Sequence, residues 1–218
     1  MRYIQKLTVP DFFTCDTHNL LGWKDYTEKK KLKEYILKNE QNYLCCYCES
    51  KVSISGDKEK DGSHLEHIKP KKFYSNLTFY YSNLLVSCHG TCHNSGNDKT
   101  RYSCGHKKDD EYIENKFLNP TIVENIRDYF KYETLPNEKI KIIPTAKDSS
   151  KAQYMINLLH LNDNKLLFAR YEALKDFETT KEAMLEEFGL DIKIEDIKET
   201  LLTEDLAFIS FLRYEYGL

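Results

Sequence analysis

Glu66 and His67 stand side by side in the stretch Ser63-His64-Leu65-Glu66-His67-Ile68-Lys69-Pro70. A carboxylate binds a hard divalent ion such as Mg²⁺ or Mn²⁺ through oxygen. A neighbouring imidazole, with a pKa near neutral, takes a proton from an attacking water. The ion would neutralise charge on a phosphoryl group and its leaving oxygen. The pair therefore divides the two jobs that phosphodiester hydrolysis requires. An isolated Glu-His dipeptide is more often a pair of surface residues at a strand end, so the surroundings must decide. Alternation of Leu65 with polar neighbours fits a short strand ending at Pro70. In such a strand His64 shares a face with Glu66 and not with His67. His64 is thus expected against substrate or against groups around the ion.

The second chemical signal is cysteine. The chain has seven, an odd count, and it starts MRYIQKLTVPDFF, without the apolar core of a signal peptide. No apolar run is long enough to cross a membrane. These features predict a cytoplasmic protein, where structural disulfides are rare and clustered thiols bind metal. Cys45 and Cys48 form a Cys-x-x-Cys pair, a spacing that turns both thiolates toward one structural Zn²⁺. A second pair must come from Cys88, Cys92 and Cys104. Local spacing alone favours Cys88 with Cys92, while the Cys-Gly-His-Lys-Lys segment offers Cys104; Cys45, Cys48, Cys88 and Cys104 are the expected ligands, with Cys92 the alternative to Cys104. A redox dithiol would want a strand-to-helix setting in a βαβ pattern, which is absent. Cys46 is the spare of the Cys-Cys-Tyr-Cys run, and Cys15 stands alone.

Charge is segregated. The net charge is −3, which argues against a polyanionic partner, but from Lys69 to Lys108 seven basic residues face a single acid, Asp98. From Glu172 to Asp205 twelve acids face four bases. A local basic stripe (Lys69, Lys71, Lys72, Lys99, Arg101, Lys107, Lys108) is what phosphate contact requires. A solvated loop would look the same by charge alone.

The elements that must position these residues follow from periodicity. Residues 1–44 read as an arm plus an amphipathic helix with Leu32, Tyr35 and Ile36 on its inner face. Residues 45–120 hold nearly all the Cys and His, with strand-like runs at Ser63–Ile68 and Asn83–Ser87. Residues 121–218 begin with a hairpin: Tyr129, Phe130 and Tyr132, a Pro-Asn turn, then Ile140, Ile142 and Ile143. Helices follow. Ser149 and Ser150 are N-cap candidates for one, and Asn162 for the next, which Gly189 would stop. A last helix should begin near Ile194 and end in the aromatic segment FISFLRYEYGL, an interface if exposed.

The order Cys-x-x-Cys (Cys45–Cys48), Glu-His-Ile-x-Pro (Glu66–Pro70), Asn-Leu-Leu-x-x-Cys (Asn83–Cys88) and Cys-Gly-His-Lys-Lys (Cys104–Lys108) resembles the HNH endonuclease superfamily. That resemblance implies an α+β, ββα-metal core with a zinc knuckle, here flanked by an N-terminal helix and a C-terminal helical region. It implies that Glu66 binds the catalytic ion, that His67 is the general base and that Asn83 braces the active-site loop. His106 would complete the ion's ligands, with His93 or Asn94 as alternatives. His64, Lys69, Lys107 and Lys108 would meet substrate. The wider layout is similar to the PtuB-like HNH subunit of Septu and retron anti-phage systems. It includes Trp23-Lys24-Asp25-Tyr26, Leu44–Glu49, His64–His67, Phe117-Leu118-Asn119-Pro120 and Leu159-His160-Leu161-Asn162. That likeness implies nucleic acid, DNA first, as substrate and an ABC/SMC-like ATPase as partner. Two other readings share these features. A zinc module that only binds nucleic acid or protein would not need the Glu66–His67 pair. A standalone restriction-like or homing enzyme would not explain the acidic C-terminal helices.

Overall fold

A computed structural model describes residues 1–55, 62–90, 102–188 and 200–218. Among them, short helices α1 (Asp11–Thr17) and α2 (Lys29–Ile36) come first. Leu32 and Ile36 of α2 are fully buried, as the apolar spacing requires, and Tyr35 packs its ring on Phe12. After one wider turn, Leu37–Gln41, the helix is stopped by Asn42 and Tyr43, both at positive φ. Asn tolerates that left-handed geometry better than most residues.

Strands β1 (Ser63–His67) and β2 (Leu84–Cys88) pair antiparallel, with His64 opposite Ser87 and Glu66 opposite Leu85. β2 is buried along its whole length, because α2 packs against it and α3 (Cys104–Lys108) does likewise. A second ribbon, β3 (Phe130–Leu135) and β4 (Lys139–Pro144), turns through Asn137 and Glu138 at positive φ. Helices α4 (Ser149–Leu158) and α5 (Asn164–Phe188) pack on β4, and α6 (Ile209–Glu215) packs on β3. No described helix is long and apolar enough to cross a membrane.

Two local expectations are corrected, and one that was left open is decided. The cap of α4 is Asp148, whose Oδ1 accepts from Lys151 N at 3.0 Å, and not Ser149 or Ser150. A carboxylate one residue earlier reaches the unpaired amides of the first turn. Asn162 does not cap α5. Its amide bonds both polar groups of the Ile142 backbone, accepting from N at 3.0 Å and donating to O at 2.9 Å. The C-terminal aromatic segment is largely core: Phe208, Ile209, Phe211 and Leu212 are buried, with Phe211 5.2 Å from the Tyr132 ring. Glu49 anchors this segment, accepting from Ser210 N at 2.8 Å and Ser210 Oγ at 2.5 Å. Gly189 and the helix expected near Ile194 lie outside the described residues.

Candidate metal centre and active site

Cys45 and Cys48 come from the turn after α2, Cys88 ends β2, and Cys104 begins α3. Their sulfurs all lie within 4.8 Å of one another, and all four residues are buried. Tetrahedral zinc with Zn–S bonds of about 2.3 Å separates its sulfurs by roughly 3.8 Å. The Cys48–Cys88 sulfur separation is 3.8 Å. The backbone supports the cluster, with Cys88 N at 3.3 Å from Cys45 Sγ and Gly90 N at 3.3 Å from Cys88 Sγ. Burial pushes the Cys45 thiol up, but hydrogen bonds from Cys104, Cys46 and the other thiols pull it well below its ordinary pKa. These donors fit a metal such as zinc. Cys46, although buried, is not one of the four, and Cys15 is exposed.

Cys104 also orients the helix that follows it. It sits at φ +54° and donates its N–H to Leu159 O at 2.8 Å. Gly105 N then donates to Ser87 Oγ at 3.0 Å, which seats α3 against β2. The next turn carries His106 and Lys108 over one face of β1.

On that face, His64 and Glu66 project together. Glu66 is buried. Its Oε1 accepts from Tyr47 Oη at 3.0 Å and pairs with Lys108 Nζ at 2.9 Å, and its Oε2 is 3.6 Å from His64 Nε2. Burial pushes the Glu66 carboxyl pKa up, but Lys108 and His64 outweigh it and bring the pKa to about 2. The His106 ring stacks on His64 with centroids 4.1 Å apart and 6° between planes. His106 Nδ1 donates to His89 O at 3.2 Å, which leaves the lone pair on Nε2 in the neutral ring. A second-nitrogen bond to a carbonyl is the usual arrangement of a metal-ligating histidine. A Cβ on Gly105 would come 2.6 Å from His64 Nε2 and 2.7 Å from Glu66 Oε2. Glycine therefore leaves a small cradle bounded by a carboxylate oxygen and an imidazole nitrogen, with His106 stacked beside them. Among the described residues, only the four thiols bring three or more metal-ligating atoms within 4.8 Å of one another.

His67 lies on the opposite face of β1. Its Nε2 donates to Thr78 O at 3.0 Å, and its ring meets Trp23 edge-on at 4.6 Å. Burial lowers its pKa to about 4, which corrects the near-neutral value expected of this imidazole; the ring is neutral at pH 7 with its lone pair on Nδ1. Thr78 belongs to the β1–β2 loop, and Asn83 ties that loop together. Asn83 Oδ1 accepts from Lys69 N at 2.8 Å, while Nδ2 donates to Lys69 O at 3.1 Å and Leu77 O at 3.2 Å.

The basic stripe divides. Lys108 is fully buried, bonding Glu66 and the His67 carbonyl (3.0 Å) instead of facing solvent where a phosphate could reach it. Lys69 is engaged by Glu114, and Lys72 pairs with Asp110 at 3.3 Å. Lys107 is half-buried at the end of α3. Cys92, His93, Asn94, Lys99 and Arg101 lie outside the described residues. Sequence reasoning missed Tyr47 as a partner of Glu66, although its place between Cys46 and Cys48 is a signal. It also missed that Gly105 must be small.

Fold and site together define a mixed α and β chain with small sheets and a four-cysteine group able to hold a metal such as zinc. No protein-family model matches the chain. A protein of Escherichia coli named "Retron Ec83 putative HNH endonuclease" is 32% identical over 176 residues, 68% of this chain. The chain belongs to the HNH endonuclease superfamily. The match spans 66% of that relative's length.

Proposed function

We propose that this protein is a metal-dependent endonuclease that hydrolyses nucleic-acid phosphodiester bonds, DNA being the first substrate to test. The observation that carries the reading is the Glu66 site. A buried carboxylate is kept ionised by Lys108, and His64 and His106 stack beside it in front of Gly105. The succession β1, β2, α3, with Cys104 at the start of α3, supports a ββα-metal core braced by structural Zn²⁺. The name of the Escherichia coli relative supports the nuclease assignment.

Glu66, with His106, would hold the catalytic ion, and His64 would stand beside it toward substrate. A bound divalent ion supplies charge neutralisation at the phosphoryl group and the leaving oxygen. The Glu66 carboxylate oxygen suits Mg²⁺ or Mn²⁺. Tyr47 and Lys108 fix Oε1 of Glu66 and so orient Oε2 toward His64. His67 accepts the proton of the attacking water on Nδ1, its ring held by the Thr78 carbonyl and the Trp23 edge. Asn83 keeps the loop that supplies that carbonyl in shape. By resemblance to PtuB-like subunits, the enzyme acts in anti-phage defence beside an ABC/SMC-like ATPase.

The test is cleavage of labelled DNA and RNA by the purified chain, with and without such an ATPase, with Mn²⁺ or Mg²⁺ supplied or withheld. His67→Ala should cost about 10² to 10⁴ in rate, as loss of a positioned general base does. Folding and zinc content should be unchanged. Full activity in His67→Ala, or loss only through unfolding, would refute the assignment. A wild type that cuts nothing with partner and metal would favour the binding-module reading.

A further inference from the structure

We infer that the β1–β2 loop beside His67 is a binding surface for nucleic acid with unpaired bases, a substrate class that rests on the nuclease reading above. From Ile68 to Asn83 the loop carries three lysines and no acidic residue. Lys69 and Lys72 are engaged by Glu114 and Asp110. Lys71 is exposed and has no ion pair among the described residues. Two large rings of the same loop stand in solvent, Phe73 at 65% and Tyr80 at 59% exposure. Its Phe79 packs on Trp23, centroids 5.8 Å apart, and Trp23 packs on His67.

One short segment thus presents flat apolar rings, an uncompensated cation and the carbonyl that orients the candidate base. Phosphate answers the cation, and base faces answer the rings. In a duplex those faces are buried in the stack, and recognition runs through a groove by an inserted helix or ribbon. Rings displayed on a loop meet bases only where the strand is single, looped or splayed. An apolar protein partner would not need the lysine or the absence of acids.

The experiment titrates the full chain, without added divalent ion, against oligothymidylate, oligouridylate, their duplexes and an abasic strand of equal length. Binding is read by anisotropy and by emission of Trp23, the one tryptophan in the chain. Each unpaired strand should bind at least tenfold more tightly than its duplex. Phe73→Ala and Tyr80→Ala should each weaken base-bearing strands by roughly 5- to 150-fold, the usual worth of a base–aromatic stack. They should leave the abasic strand unaffected, and the wild type should discriminate against that strand by a similar factor. Equal affinity for duplex and unpaired strands, or for abasic and base-bearing strands, overturns the inference. Cleavage is measured separately. Strand preference without cleavage counts against the nuclease reading and keeps this surface. Duplex cleavage indifferent to Phe73→Ala and Tyr80→Ala keeps the nuclease and overturns the surface.

Discussion

Replacing Gly105 by alanine adds one methyl group to the cleft between β1 and α3. The Gly105 backbone is not in the left-handed region, so alanine meets no backbone strain. In a helix the change by itself stabilises by about 1 kcal/mol. The methyl, however, would stand 2.6 Å from His64 Nε2, 2.7 Å from Glu66 Oε2 and 3.1 Å from Ser87 Cβ, where ordinary contact begins at 3.4 Å. Glu66 cannot swing away freely, because Tyr47 and Lys108 hold its other oxygen and the site is buried. Overpacking of this kind costs about 1–3 kcal/mol. The net destabilisation is then between about 0 and 2 kcal/mol, at most about 8 °C in Tm for a chain of this size. Catalysis should suffer far more. Shifting Glu66 Oε2 or His64 by the missing ~0.7 Å approaches the ~1 Å misplacement that costs about 10²-fold in rate. The assay is cleavage against Mn²⁺ concentration, alongside zinc content and thermal melting. The expected variant is folded, zinc-replete, about a hundredfold slower and in need of more Mn²⁺. Gly22→Ala, whose methyl would meet nothing nearer than Asp25 Oδ2 at 3.5 Å, is the control. If Gly105→Ala cut at the wild-type rate with the same Mn²⁺ requirement, the ion's ligands would not converge in front of Gly105. If it lost zinc or unfolded, the glycine would serve packing only.

The purified protein should carry about one zinc per chain, and Cys104→Ser should lower both zinc content and Tm, because metal binding supplies folding free energy. Equal metal content and Tm in the variant would exclude Cys104 as a ligand. Lys108→Met should destabilise by about 3–5 kcal/mol, since it strands the buried Glu66 carboxylate. Denaturant unfolding measures this, and a change within error would mean that the ion pair contributes nothing. Asp148→Ala should lower Tm at neutral pH by removing the α4 cap. The Lys151 backbone amide depresses the Asp148 pKa, so its contribution is present above the ordinary aspartate value of about 3.9 and lost as pH falls below it. Melting curves of the two proteins should therefore converge in acid, and a constant gap down to about pH 2 would contradict the capping role.

Several parts of the molecule are legible in residue order because their causes are local. The Leu32–Ile36 spacing gives α2, the alternation around Leu65 gives β1, and the isoleucines at 140 and 142 give the inner face of β4. The Cys45–Cys48 spacing gives half a metal cluster, and Glu66 next to His67 gives a carboxylate and an imidazole. What residue order leaves open is which distant groups meet. Residue order offered both Cys104, the expected fourth ligand, and Cys92, which local spacing alone favours; Cys104 joins the thiols, because the Leu159 carbonyl and Ser87 Oγ fix the start of α3 against β2. The same seating buries Lys108 against Glu66, when charge alone marked it for phosphate. It also stacks His106 on His64. Strand alternation separates Glu66 from His67 onto opposite faces, but only the β1–β2 loop decides that Thr78 and Trp23 surround the second. The aromatic C-terminus reads by composition as either an interface or core, and packing against β3 makes it core. Side-chain periodicity is a property of a few consecutive residues. Ion pairs, metal ligation and burial depend on chain closure between segments tens of residues apart, and no local pattern encodes which closure excludes water best.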